Sequence, residues 1–184
     1  MKKTLIIKLI LSGILISTVS SNDIFYIFQD TKIKSDNEKI ANIYLGVPVK
    51  LTKDLGDKAK IAINGFIDGK NVYSTKNKEL LIATLEDGFK PNNKQENEVE
   101  LVGIIDKQYL TKDSKEVWEE HEEFFFDMCT QCHAAQDVKH HTMVEWEALF
   151  LPMKDFAKLD EAESKYLLRY LKSNASNGLS NDLN

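Results

Sequence analysis

At Asp113 the hydrophobic pattern changes period, and no single regular architecture accommodates both halves. From Ile43 to about Ile105 apolar residues alternate with polar ones. Val47, Val49 and Leu51 form one such run, and Ala59, Ile61 and Ile63 another, which is the signature of half-buried strands. Leu55-Gly56-Asp57, Asn64-Gly65 and Asp68-Gly69 read as turns between them. Leu80 to Leu85 and Val99 to Ile105 supply two further apolar runs, separated by a polar stretch from Asp87 to Glu98 that reads as a loop. About five short strands at this spacing suggest a small antiparallel barrel or sandwich.

Beyond Asp113 the spacing becomes helical. Val117, Trp118, His121, Phe124, Phe125 and Met128 form a continuous stripe, with His121 reading as filler within it. Glu116, Glu119, Glu120, Glu123 and Asp127 line the other side, which reads as a solvated helix surface. Asp113 with Glu116, Thr142 with Glu145, and Asp160 with Glu163 each have the spacing of an N-terminal capping box. Pro152 should end or kink the second helix. The expected class is α+β: a small β-barrel module followed by an all-α domain, within the one or two small domains that 184 residues allow.

The first residues read as an address. Lys2 and Lys3 precede an uncharged run, Leu9 to Val19, which ends in small polar residues before Asn22. That is the layout of a secretory signal peptide, with retention as an uncleaved anchor the competing reading. The run is shorter than the roughly 20 residues a spanning helix needs. The only arginine is Arg169, which excludes twin-arginine export and any anion clamp built from several arginines. Removing residues 1–21 takes away lysines and no acid, so a chain already at net charge −5 becomes more acidic. A nucleic-acid partner is not expected. The expected organisation is a signal peptide (1–21), an N-terminal segment (22–37), a β-rich interaction module (38–110), a helical haem domain (111–175) and a flexible tail (176–184).

Cys129-Thr130-Gln131-Cys132-His133 is a C-x-x-C-H pentapeptide, the attachment signature of haem c. Two thiols at this spacing suit thioether bonds to the two vinyl groups of one haem, and the adjacent His133 is then placed to be the proximal iron ligand. A redox-active dithiol normally opens a helix, whereas this motif closes one. A zinc site could recruit Cys129, Cys132 and two of His133, His140 and His141, but the usual His-x₃₋₅-His spacing is missing. Candidates for the distal iron ligand are Met153, Met143, His140 and His141. Met153 is favoured because it follows Pro152 at the expected end of a capped helix, whereas helix methionines such as Met143 are usually core.

The stretch from Leu110 to Ala175, with Trp118, the haem motif, His141-Thr142, Glu145-Trp146 and Pro152-Met153, resembles the C-terminal haem domain of the TorC/TorY group of pentahaem cytochromes. Leu45-Gly46-Val47-Pro48-Val49, Leu55-Gly56-Asp57 and Asn64-Gly65-Phe66 resemble the β-rich region that precedes that haem. The resemblance implies a Src-homology-3-like barrel followed by a class I-type cytochrome c domain. It further implies an electron carrier of trimethylamine N-oxide respiration rather than an enzyme. Its acceptor would be a periplasmic molybdenum reductase of N-oxides or S-oxides (TMAO or DMSO), and its donor a quinol-linked protein or another cytochrome. Proteins of that group carry an N-terminal membrane-anchored tetrahaem domain that takes electrons from quinol; with one C-x-x-C-H and no anchor expected here, the resemblance implies only the terminal electron transfer. Alternatives are a haem-based redox sensor or interaction module, a donor to another periplasmic reductase, and a zinc-stabilised structural protein.

Overall fold

A computed structural model describes residues 24–179. The expected signal peptide therefore lies outside the described residues. The architecture is α+β, with a closed six-stranded barrel followed by three helices. Ten strands form one sheet: β1 (Ile24–Ile27), β2 (Thr31–Lys34), β3 (Ile40–Ile43), β4 (Pro48–Leu55), β5 (Lys58–Asp68), β6 (Asn71–Tyr73), β7 (Leu81–Leu85), β8 (Asn92–Gln95), β9 (Glu98–Asp106) and β10 (Leu110–Thr111). The barrel runs β5-β6-β7-β3-β2-β9 and closes through antiparallel pairing of β9 with β5. Strands β4, β1 and β10 extend the sheet from β5, and β8 extends it from β9.

Strand β5 makes the closure possible because it is long. One edge pairs with β9 from Lys58↔Asp106 to Phe66↔Glu98. The other edge serves β4 in its first half and β6 in its second. The expected turn at Asn64-Gly65 is therefore strand interior. A Cβ on Gly65 would lie 2.6 Å from Val72 and 2.8 Å from the Tyr73 carbonyl, so glycine is needed for close backbone approach, a known role inside strands. Gly56 and Gly69 do occupy turns, both with positive φ. Along β9 every second residue is buried, which sends Val99, Leu101 and Ile105 into the barrel.

Two other expectations change. The segment 22–37 is not separate from the barrel, because β1 and β2 lie within it; four-residue strands are too short to show a period in the sequence. The polar stretch from Asp87 to Glu98 contains the edge strand β8, whose residues are all exposed and so carry no apolar alternation. The tail also starts later than expected. Ala175 and Leu179 are buried, and the Ser176 amide donates to the His141 carbonyl at 2.8 Å.

The helices are α1 (Ser114–Cys129), α2 (Met143–Phe156) and α3 (Glu161–Asn174). The boxes at Thr142/Glu145 and Asp160/Glu163 both form. Asp113 caps α1 alone, accepting from the Lys115 amide, because Glu116 is engaged by the Thr111 hydroxyl at 2.7 Å. Pro152 neither ends nor visibly interrupts α2, which continues to Phe156. The partner its ring cannot serve is the carbonyl of Ala148, an exposed residue that water can reach. Helix α3 packs against both α1 and α2.

The barrel and the helices share one apolar core, joined by two contacts. The Trp118 ring of α1 lies on Gly46, in the turn between β3 and β4, so closely that a Cβ there would be 2.0 Å from the ring. From α3, the Arg169 guanidinium donates to the carbonyls of Leu45 (Nε, 3.0 Å) and Leu81 (Nη1, 2.9 Å) and lies over the Tyr44 ring. Burial pushes its pKa down to about 10, so it stays charged at neutral pH.

Replacing Arg169 with lysine keeps the charge and loses the fork. It should cost about 1–3 kcal/mol for the unmet carbonyls and lower Tm by several degrees. Gly46→Ala should lower Tm further, because the new methyl meets Trp118 and the backbone there has φ +80°. Thermal unfolding followed by circular dichroism checks both. Unchanged Tm in the two variants would mean that this contact does not hold the modules together.

Candidate haem site

Cys129 is the last residue of α1, and the two residues between the cysteines close that helix. The Thr130 amide and hydroxyl both donate to the Phe126 carbonyl, at 3.1 and 2.7 Å, and Gln131 Nε2 donates to the Asp127 carbonyl at 2.9 Å. Carbonyls of the final turn otherwise lack partners, so these bonds hold the turn that carries the motif. Spacing alone does not reveal this role for Thr130 and Gln131.

Both thiols are free. Cys129 is half-buried against the core, and burial raises its thiol pKa, so it stays protonated near neutrality. Cys132 and His133 are exposed. His133 Nδ1 lies 2.9 Å from the Ala134 carbonyl. When Nδ1 carries the proton and donates there, Nε2 is left with a lone pair for a metal.

The returning segment packs over the same helix end. Trp146 Nε1 donates to the Val138 carbonyl at 2.7 Å, and the Trp146 ring meets Phe125 edge-on at 6.3 Å. Phe125 lies one turn before Cys129, so this contact ties α2 to the motif. Phe124 faces a different direction, meeting Tyr166 of α3 edge-on at 5.8 Å.

The distal candidates fall in unlike places. Met143 is fully buried at the start of α2 and belongs to the core. Nε2 of His141 is hydrogen-bonded to Gln136 Oε1, and its ring stands edge-on to Trp146 at 4.9 Å. His140 is exposed, 3.9 Å from Asp137. Met153 is about half-exposed on α2, on a stripe with Leu149 and Phe156 that is set by helical spacing. It stands two turns beyond Trp146, about 10 Å along the axis. Phe126, Leu149 and Phe156 are also exposed, and Phe156 is 80% exposed. Exposed large apolar side chains suit contact with a planar apolar group, and these sit on the helices that carry the motif and Met153. These residues fit haem c. Among the described residues no group of three or more metal-ligating side chains is gathered at one place.

His121 is more than filler. It is buried, stacked on Tyr166 at 3.5 Å and edge-on to Trp118 at 5.2 Å, and its Nδ1 has no hydrogen-bond partner. Burial, with a smaller contribution from Arg169, lowers its pKa from 6.5 to about 4. The unfolded chain therefore binds the proton more readily, and the stability gained from neutral His121 is full above pH 6.5 and lost as pH falls through 4. In His121→Phe, which keeps the stack, the drop in Tm between pH 7 and pH 4 should be smaller than in wild type. Parallel Tm–pH curves for the two proteins would contradict this.

Known proteins similar to this chain are cytochrome c-type proteins. Two are the cytochrome c-type protein TorC of Escherichia coli O157:H7 and of Escherichia coli strain K12, each 24% identical over 159 residues. The alignments cover 78% of this chain and 41% of each relative, so the chain spans well under half the length of the proteins it matches. No protein-family profile matches the chain, and no solved structure does.

Proposed function

We propose that this chain is an exported monohaem c-type cytochrome, a one-electron carrier rather than an enzyme. Its acceptor would be a periplasmic molybdenum reductase of N-oxides or S-oxides, and its donor a quinol-linked protein or another cytochrome. The observation that carries the reading is the C-x-x-C-H motif at the end of α1, with both thiols free, His133 Nε2 available, and Phe126, Leu149 and Phe156 exposed on α1 and α2. The similarity to TorC supports the class and suggests the respiratory setting.

When bound, haem c supplies a ferric/ferrous couple that takes up and releases one electron. Cys129 and Cys132 would hold it covalently and His133 would bind its iron. The capped turn of Thr130 and Gln131 keeps these three residues in register, so little reorganisation is needed when charge changes. Phe126, Leu149 and Phe156 would exclude water from the ring. Met153 is the proposed sixth ligand, whose soft sulfur favours the ferrous state over a bis-histidine arrangement. Lys139, Lys154 and Lys158, near the motif and Met153 in sequence, would give a weak, salt-sensitive complex with the reductase, as a carrier that must dissociate every cycle requires.

Denaturing electrophoresis of periplasmic extract should retain haem peroxidase staining on the band of this chain, and Cys129→Ala with Cys132→Ala should abolish it. Two titratable thiols and no stain in wild type would defeat the reading. A strain without this protein should reduce N-oxides or S-oxides more slowly.

Met153→Ala should keep the stain, lose the long-wavelength sulfur-to-iron charge-transfer band of the ferric protein and lower its potential. Met143→Ala should keep the band and cost about 2–5 kcal/mol of stability as a core truncation. The opposite pattern would make Met143 the ligand, and a wild type without the band would turn attention to His140 or His141.

A further inference from the structure

The outer side of α1 differs electrostatically from the rest of the surface. On the barrel, exposed lysines are widely paired with acids: Lys32 with Glu86, Lys60 with Asp36, Lys70 with Asp87, Lys76 with Glu96 and Lys78 with Asp68. Among the described residues, Glu119, Glu120, Glu122, Glu123 and Asp127 of α1 take part in no ion pair. Glu119 and Glu123, like Glu123 and Asp127, are four positions apart, where like charges destabilise a helix. Among the described residues no ion pair offsets that repulsion.

Beside this acidic row, α1 and α3 leave a groove of about 400 Å³ whose exposed lining is almost wholly apolar. Phe124, Tyr166 and Ala162 line it, with Glu120 and Glu163 at its edges. Glu163 is already committed to its capping box, but Glu120 is free to meet a partner. Among the described residues no lysine lines the groove. Phe124 is nonetheless only five residues before Cys129, about 7.5 Å along the helix.

We propose that this groove docks a redox partner whose contact surface is cationic, an apolar side chain ringed by lysine or arginine. The proposal rests on the carrier reading, because an electron carrier needs both a donor and an acceptor. Two surfaces of opposite charge would let it distinguish them. The apolar side chain would lie in the groove against Phe124, Tyr166 and Ala162, and its basic neighbours would meet Glu120, Glu123 and Asp127. Charge complementarity of this kind governs encounter rate and partner choice more than final affinity.

The probe is a fluorescent helical peptide with a central phenylalanine flanked by lysines, and its counterpart with glutamates in place of the lysines. Binding to the full exported protein is followed by anisotropy at low salt and at high salt. The lysine peptide should bind and the glutamate peptide should not. Affinity should fall at least tenfold in the double variant Glu120→Lys with Glu123→Lys, and at least tenfold with added salt. Phe124→Ala should weaken binding severalfold at both salt concentrations.

Equal affinity for both peptides, or equal affinity in the charge-reversed variant, overturns the proposal. Loss in the charge variant without loss in Phe124→Ala also overturns it, because the acidic row would then attract without the groove. Circular dichroism of each variant shows that it folds. Haem staining of the same samples keeps the two readings apart: stained protein that ignores the peptide refutes only the groove, and unstained protein that binds it refutes only the carrier.

Discussion

The contact of Arg169 and Trp118 with the turn between β3 and β4 is the constraint on which the rest of the structure depends. A barrel of short strands and three helices of 14 to 16 residues are each too small to bury much apolar surface alone. Joining them gives one core, and the joint works because glycine stands at position 46 and the chain's only arginine at 169. Arginine is required by geometry. One planar fork reaches two backbone carbonyls, one in the turn between β3 and β4 and one on β7, which a lysine ammonium cannot match.

That joint sets the direction of α1 and so determines where the motif emerges. Trp118 anchors the start of the helix on the barrel, Phe125 anchors its later turns against Trp146 and Tyr170, and Thr130 with Gln131 closes its end. The motif thus stands on a helix held at three levels. Cys132 and His133 are exposed, while the supporting residues are buried or hydrogen-bonded. Such an arrangement would hold a group attached to the motif in place without enclosing it.

The two sides of α1 divide the chemistry. One carries the C-x-x-C-H motif, and the other presents an acidic row beside an apolar groove shared with α3. His121 lies under the second side, neutral and stacked, because a cation there would be buried close to Arg169. The uncompensated glutamates lie outside it in water, where their repulsion costs the fold only a few tenths of a kcal/mol per pair.

Local rules made a large part of this legible from sequence. The alternation at Val47–Leu51 and Ala59–Ile63, the helical stripe from Val117 and the capping boxes at Thr142 and Asp160 all depend on near neighbours, so spacing determines them. The C-x-x-C-H motif is likewise read from five adjacent residues, and haem attachment there is what is proposed from it. What tertiary structure decided depends on distant partners. Asn64-Gly65 reads as a turn, yet it is strand because Val72 and Tyr73 need close approach there. Glu116 reads as half of a capping box, yet Thr111 takes its carboxylate. Pro152 reads as a helix end, yet α2 passes through it because the carbonyl left over belongs to an exposed residue. The strands in 24–34 and the groove between α1 and α3 have no sequence signature, because each is made by residues far apart in the chain that only the packed barrel and helices bring together.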